Sequence, residues 1–155
     1  MRPPLQQRPA GRCTLLSEVK LSYTISGDDF TRAGEASGDV KSKLKVLGVS
    51  PDIVRKVSIA LYEGEINMVI HAHGGTIDVT ISETEITMVL ADRGPGIENV
   101  ELAMQAGYST ASENVRALGF GAGMGLPNMK KYSDEMSIDT RLGEGTTVTM
   151  KVFLQ

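Results

Sequence analysis

The sequence predicts an α+β fold, a two-layer α/β sandwich in which helices cover one face of a mixed, mostly antiparallel sheet. Three observations favour this class. Two pairs of short alternating segments are each joined by a brief turn, which is typical of hairpins. Helical segments separate them in the order β, α, α, β, β, α, β, β. The chain has 155 residues, 41% of them hydrophobic and 23% charged, which suits one globular domain.

The first half of the chain predicts one strand and two helices. Residues 19–25 (VKLSYTI) alternate roughly between apolar and polar, which indicates a strand. Residues 30–47 carry apolar side chains at mixed helical spacings and predict a helix. A second helix starts at Ser50-Pro51-Asp52, with a capping serine followed by proline at the first helical position, and runs to about Ala72. Its apolar stripe comprises Val54, Val57, Leu61, Met68 and Ala72.

The second half predicts two hairpins around a long Gly-rich stretch. In chain order the elements are strands 76–81 and 85–91 joined by the turn SETE, a short helix 98–105, a Gly-rich loop 106–125, a helix 127–133, and strands 136–141 and 146–154. A loop of that length inside a compact domain is usually functional or mobile. We therefore expect residues 106–124 to act as a lid that becomes ordered when ligand binds.

Composition excludes several classes of function. The net charge of -3 argues against a general nucleic-acid binder, which needs a basic face. No apolar run approaches the roughly 20 residues of a membrane span, so no membrane role is expected. One cysteine excludes a disulfide framework or a Cys-rich zinc module. The start has no apolar core typical of a secretory signal, so a cytoplasmic protein is expected. We expect a disordered N-terminal arm over residues 1–14 and a single domain over 15–155.

The second helix carries a carboxylate and a carboxamide on one face. Glu63 and Asn67 are four residues apart, so they lie a single turn apart. An amide oxygen can ligate a hard cation, and a carboxylate can orient a nucleophile or take its proton. Taken alone, such a pair is more often a solvated surface pair than a site. Glu65 lies roughly 200° around the helix from Glu63 and is expected to face solvent.

Two further motifs contain closely spaced glycines. Asp92-Arg93-Gly94-Pro95-Gly96-Ile97 follows an apolar strand, where an Asp can accept from an exocyclic amine and glycines allow close approach of a flat ring. An ordinary strand-exit turn would look the same. Alternating glycines at 119, 121, 123 and 125 precede a helix, an arrangement that favours phosphate, although a flexible linker has a similar composition. A hairpin turn, Gly143-Glu144-Gly145, leads into Thr146.

The joint order of these motifs resembles the GHKL ATP-binding family. The motifs are E-x-x-x-N on a helix, D-x-G-x-G-I after a strand, a Gly-rich lid ending G-x-G-x-G-L, and G-x-G-T before the last strand, over residues 19–154. The resemblance implies the Bergerat ATP-binding fold. Within the family, the size of the chain resembles the small bacterial serine/threonine kinases of the anti-sigma-factor and stressosome switch type. The segments AMQAGYST (103–110) and GLPNMKKYSDEMSI (125–138) look especially like the stressosome switch kinase.

The resemblance implies a role for each motif. Asp92 would accept from the adenine N6 amine, Gly96 and Ile97 would form the floor of the pocket, and Thr146 would support the adenine edge. Asn67 would ligate Mg²⁺, and Glu63 would be the general base. The full set of implied ATP contacts is Asn67, Asp92, Gly94, Gly96, Ile97, Gly119, Gly121, Gly123, Gly125, Leu126 and Thr146.

Two functions are consistent with these roles. The first is an ATP-dependent protein serine/threonine kinase that phosphorylates an anti-sigma-factor antagonist of the STAS type, for which Glu63 provides the base. The second is a nucleotide-gated binding module that sequesters a sigma factor or another regulator without phosphotransfer. A detached histidine-kinase catalytic domain is a third reading, which needs a separate chain carrying the phospho-accepting histidine. Related kinases often dimerise, so a homodimer is also considered.

Overall fold

The structure is a computed structural model that describes residues 18–27, 29–105 and 125–154. Within these ranges the chain forms five strands and four α-helices. They are β1 (Val19–Ser26), α1 (Glu35–Val46), α2 (Pro51–His71), β2 (Gly74–Ile81), β3 (Glu85–Asp92), α3 (Val100–Ala103), α4 (Gly125–Lys131), β4 (Glu135–Arg141) and β5 (Gly145–Phe153). A short 3₁₀ helix, Phe30–Arg32, precedes α1.

The strands form one sheet in the order β1-β2-β3-β5-β4. The sequence predicted a mixed, mostly antiparallel sheet, and every neighbouring pair of the described strands is antiparallel. The reason is the position of β5. β3 and β4 run in the same direction, but β5 lies between them and runs opposite to both.

Both predicted hairpins are confirmed. Ile81 pairs with Ile86 across the first one, and the Ser82 hydroxyl accepts from the backbone N–H groups of Thr84 and Glu85. This side-chain bonding replaces the Asn-Gly or Asp-Gly pair that is usual in tight hairpin turns. The second hairpin pairs Arg141 with Gly145.

Helices α1, α2 and α4 pack on one face of the sheet, which confirms the two-layer arrangement. Alternate residues of the central strands are buried beneath them, as the two-residue period of a strand requires. The opposite face is polar; there the Ser22 hydroxyl donates to the Asp78 carboxylate at 2.6 Å. The core contains Val57, Leu61, Met68, Ile77, Val79, Ile86, Met88, Leu90, Met129, Val148 and Met150.

Helix α2 is the central helix, with α1 on one side and α4 on the other. All five residues of its predicted apolar stripe are buried. Gly64 is buried over β3, and a Cβ there would overlap the Leu90 side chain, so the missing side chain lets α2 approach the sheet. This close approach places the polar edge of α2 beside the end of the sheet.

Two local predictions need correction. The helix predicted over residues 30–47 is divided, because Gly34 adopts a left-handed conformation (φ +96°) between the 3₁₀ helix and α1. Helix α2 begins at Pro51 as predicted, but the Ser50 side chain makes no capping hydrogen bond.

The prediction for Glu65 is wrong. Its side chain is only 1% exposed, and its carboxylate accepts from the backbone N–H groups of Gly34, Ala36 and Ser37 at 2.9, 3.3 and 2.9 Å. These are unpaired donors at the start of α1, where the helix dipole also favours a negative charge. The prediction assumed that only the sheet covers α2, whereas α1 covers a second face of this helix, and Glu65 lies on that face.

Other predictions lie beyond what the structure describes. The N-terminal arm (residues 1–14) and the lid (106–124), with Gly119, Gly121 and Gly123, are outside the described residues. Among the described residues, no helix combines the length and apolar character needed to cross a bilayer.

Candidate nucleotide site

The polar edge of α2 carries Glu63 and Asn67, both half-buried and one turn apart as predicted. Helix α4 lies against this edge and contacts both side chains. The Asn128 amide Nδ2 donates to Glu63 Oε1 at 3.3 Å. The Asn67 amide Nδ2 donates to the Met129 sulfur at 3.8 Å. Adjacent residues of α4 therefore hold the two predicted site residues of α2.

The carboxamide of Asn67 has a defined orientation. Its nitrogen faces Met129, whose side chain is 1% exposed and thus fixed in the core. Within the described ranges, its carbonyl oxygen Oδ1 accepts no hydrogen bond. That oxygen is the atom a hard cation prefers as a ligand.

Gly125, the first residue of α4, packs directly on the Asn67 amide. A Cβ at this position would lie 2.9 Å from both Oδ1 and Nδ2 of Asn67. Because real Cβ atoms do not approach so closely, any larger residue would have to displace the amide. The structure thus gives a steric reason for the glycine that closes the Gly-rich motif.

Asp92 lies at the end of β3 and joins two segments that are distant in sequence. Its Oδ1 accepts from the backbone N–H of Gly94 at 2.9 Å and from that of Thr146 at 3.1 Å. The second oxygen, Oδ2, accepts no hydrogen bond from any residue that the structure describes. One carboxylate oxygen therefore holds the loop and β5 in place, and the other is available to a ligand donor.

The loop after Asp92 requires its glycines. Gly94 is buried, and a Cβ there would lie 2.7 Å from the Cα of Ala72 at the end of α2. Gly96 has a φ of +80°, and its Cβ would lie 2.6 Å from the Arg141 carbonyl oxygen. The loop thus packs between the end of α2 and the turn of the second hairpin.

A threonine that the sequence analysis missed connects the far side of this loop. The Thr140 hydroxyl accepts from the Ile97 N–H at 2.8 Å and lies 2.9 Å from the hydroxyl of Thr146. Thr146 is buried and pairs with Thr140 across β4 and β5. The pairing of these threonines on either side of the second turn is the signal that could have identified Thr140.

The structure thus forms two groups of predicted residues at the same end of α2. One group comprises Glu63, Asn67 and Gly125. The other comprises Asp92, Gly94, Gly96, Ile97 and Thr146, and it contacts the end of α2 at Ala72. Leu126 is half-buried against the hydrophobic core next to the first group.

One titratable group at this end of α2 is perturbed by burial. Desolvation lowers the pKa of His71, the last residue of the helix, because burial disfavours the charged imidazolium. Elsewhere, hydrogen bonds from Lys43 and Tyr23 hold the pKa of Asp39 below its ordinary value.

Comparison with known families decides the classification. The family model described as histidine kinase-like ATPase domain matches residues 29–152, which include every motif of the site.

The chain belongs to the histidine kinase-like ATPase family. This confirms the resemblance seen in the sequence, and membership implies an ATP-binding domain.

Several curated proteins that are similar to this chain are named anti-sigma F factor. The chain is 34% identical to the anti-sigma F factor of Clostridium acetobutylicum over 139 residues, which cover 86% of this chain and 90% of the relative. It is 34% identical to the anti-sigma F factor of Caldanaerobacter subterraneus over 106 residues, which cover 65% of this chain and 71% of the relative.

One solved structure supports the fold of this family member. The chain aligns with a chain of the SiaB-SiaC complex from Pseudomonas aeruginosa with a TM-score of 0.53 and 13% sequence identity. The alignment covers 91% of this chain and 93% of the other. At this identity, the likeness bears on the fold alone.

Proposed function

We propose that this histidine kinase-like ATPase is a protein serine/threonine kinase of the anti-sigma regulatory type. It would transfer the γ-phosphate of ATP to a serine or threonine of a STAS-type partner protein. The observation that carries the proposal is the pairing of Glu63 with Asn67 on the edge of α2. Each side chain is held by α4 through one polar atom and retains another for ligand or substrate.

Asp92 would recognise the adenine ring. Its Oδ1 is engaged by the backbone, and its Oδ2 would accept from the exocyclic N6 amine. Gly94 and Gly96 let the loop pack against Ala72 and Arg141, which would place Ile97 and Thr146 to line the pocket. A carboxylate is suited to this role because it accepts hydrogen bonds and donates none.

A magnesium ion fits the donor set of the α2 edge. Asn67 offers a neutral amide oxygen, and Mg²⁺ usually takes few protein ligands together with phosphate oxygens and water. Among the described residues, no group of three or more acidic, His or Cys side chains could hold a metal by itself. We propose that Asn67 holds the ion, which would neutralise charge on the phosphates.

Glu63 would act as the general base. The substrate hydroxyl oxygen would form a bond to the γ-phosphorus while the bond from that phosphorus to the bridging β,γ-oxygen breaks, and ADP leaves. The hydroxyl proton would pass to the Glu63 carboxylate. Phosphoryl transfer depends mainly on positioning and charge neutralisation, so a base, a cation and backbone amides suffice.

The relatives support a protein partner. An anti-sigma factor by its name acts on a sigma factor, and the aligned solved structure is a complex of two proteins. We propose that this chain likewise acts on a partner protein, in the cytoplasm, where ATP is available. A homodimer is a further proposal.

A second candidate function is nucleotide-gated binding without phosphotransfer. The observation that favours it is the relatives' name, which specifies an anti-sigma factor and no reaction. In that case the ATP-bound chain would hold a sigma factor, and Glu63 would have no chemical role.

Incubation with γ-labelled ATP, Mg²⁺ and purified candidate partners separates the two. The candidates are STAS-domain proteins and sigma factors encoded beside this gene. Transfer of label to a serine or threonine supports the kinase. ATP-dependent binding of a partner without label on any candidate overturns the kinase in favour of the gated module.

A further inference from the structure

Helix α4 provides a side-chain donor for the proposed base. Asn128 Nδ2 donates to Glu63 Oε1 at 3.3 Å, although the two residues are 65 positions apart in the chain. Both side chains are half-buried at the seam between α2 and α4. The next residue, Met129, is buried in the core and fixes the position of α4.

We propose that Asn128 is a positioning residue that holds the Glu63 carboxylate in the orientation needed for phosphotransfer; this inference rests on the proposed kinase function. The bond occupies Oε1 and leaves Oε2 to face the substrate hydroxyl. A glutamate side chain has several rotamers of similar energy, so one bond to a rigid helix restricts it strongly. Such a restriction lowers the barrier because the reacting groups start in near-attack geometry.

The surroundings of Asn128 argue against a purely structural role. It is not part of the hydrophobic core, which α4 joins through Met129 and Leu126. Its side-chain nitrogen makes its bond to Glu63 rather than capping the backbone of α4. Removing it should therefore leave the fold and ATP binding intact while it frees the carboxylate to rotate.

The test uses the full chain with three substitutions at this position. Asn128→Ala removes the side chain, Asn128→Asp keeps its shape but loses the donor, and Asn128→Gln keeps an amide donor on a longer stem. Lys130→Ala, an exposed change on the same helix, is the matched control. Phosphotransfer kinetics, ATP affinity and the melting temperature are measured for each.

We expect kcat to fall about 10–100-fold in Asn128→Ala and at least as far in Asn128→Asp, which is the scale of one hydrogen bond to a charged group. Asn128→Gln should recover part of the loss. The KM for ATP and the melting temperature should stay close to wild type, and Lys130→Ala should match wild type in kcat. Wild-type kcat in Asn128→Ala and Asn128→Asp would overturn the proposal.

A double-mutant cycle distinguishes positioning from general damage. If Asn128 acts through Glu63, Asn128→Ala should cost little further rate in a Glu63→Gln background, because the base it positions is already lost. Equal losses in both backgrounds would overturn the proposal.

A separate readout does not depend on phosphotransfer. The NMR signals of the Asn128 side-chain amide should move in Glu63→Gln, where the charged acceptor becomes neutral; unchanged signals would show that the contact is absent and overturn the proposal. If the signals move but the wild type transfers no phosphate, the kinase function fails and the positioning role fails with it. If the wild type transfers phosphate and the variants match it, only the positioning role fails.

Discussion

The carboxylate of Asp92 accepts a hydrogen bond from the backbone N–H of Thr146, a residue 54 positions further along the chain. The same oxygen also accepts from Gly94, so a single atom connects β3, the loop that follows it and β5. The carboxylate thus has one oxygen bound to the backbone and, under the proposed function, one that would accept from the adenine amine. This division gives the first prediction.

Asp92→Asn should weaken ATP binding by roughly 2–4 kcal/mol. An amide in place of the carboxylate loses a charge-assisted acceptor and can present a donor to the adenine amine. Calorimetric titration with Mg-ATP measures the loss. Asp78→Asn, an exposed change on the polar face of the neighbouring strand, is the matched control. Equal affinities for Asp92→Asn and wild type would refute the adenine assignment.

Glu63→Gln should lower phosphorylation of the partner by roughly 10²–10⁴-fold, the usual span for loss of a general base. ATP affinity should change only a few-fold, because the base acts on the transition state. Asn67→Ala, one turn along the helix, should instead lose Mg²⁺-dependent ATP binding together with activity. A wild-type transfer rate in Glu63→Gln would show that the base assignment is wrong.

Gly125→Ala should weaken Mg²⁺-dependent ATP binding and leave the fold in place. The new methyl group would meet the Asn67 amide at 2.9 Å, and the end of that side chain can move aside. Gly38→Ala in α1 is the control, since nothing lies within 4 Å of its Cβ and alanine favours a helix by about 0.5–1 kcal/mol. In titration, Gly125→Ala should lower the ATP affinity and Gly38→Ala should leave it unchanged. In thermal melting, Gly38→Ala should raise the melting temperature. Wild-type affinity in Gly125→Ala would contradict the steric argument.

Glu65→Ala should destabilise the protein by about 3 kcal/mol, because it leaves three N–H groups of the start of α1 without an acceptor. For a chain of this size that corresponds to a fall in melting temperature of roughly 6–12 °C. Glu83→Ala in the exposed first hairpin turn should melt like wild type. A similar melting temperature in both variants would argue against the buried carboxylate as a stabilising contact.

Stability should decline as the pH falls below about 6.5, the ordinary pKa of histidine. Burial lowers the pKa of His71 in the folded state, so the unfolded chain takes up its proton first and is favoured on acidification. The contribution of neutral His71 to the free energy of unfolding is therefore complete above pH 6.5. It is lost as the pH falls from 6.5 to the pKa of His71 in the folded state. Asp29 and Asp39, whose pKa values are lowered from 3.8, act only at lower pH. Thermal melts of wild type and His71→Gln from pH 7.5 to 5 check this, and an equal slope in both would exclude His71 as the cause.

The elements that could be predicted are those set by local periodicity and by turn residues. The buried stripe of α2, the two hairpins and the placement of Asp92 at a strand end all follow from patterns within a few residues. Glu63 and Asn67 were found in the same way, because helical spacing alone puts them together.

The residues that were missed depend on neighbours far away in the chain. Asn128 is recognised only when α4 is known to pack on α2, and Thr140 only when β4 is paired with β5. Glu65 was assigned to solvent because a single helix in isolation has only one obvious buried side. In each case the deciding contact joins segments that are far apart in the chain, so no local pattern of residues indicates it.

The position of β5 inside the sheet affects when the site can form. β5 is the last described strand in chain order, yet it pairs with β3 on one side and β4 on the other. Until β5 inserts, β3 has an open edge and Asp92 lacks the Thr146 N–H that orients it. The proposed adenine site is therefore complete only when β5 has joined the sheet, so ATP would bind the fully closed sheet and stabilise it by mass action. Nucleotide binding would then report on the completed fold. A chain truncated before β5 should not bind ATP, and the exposed edge of its β3 should associate with other chains.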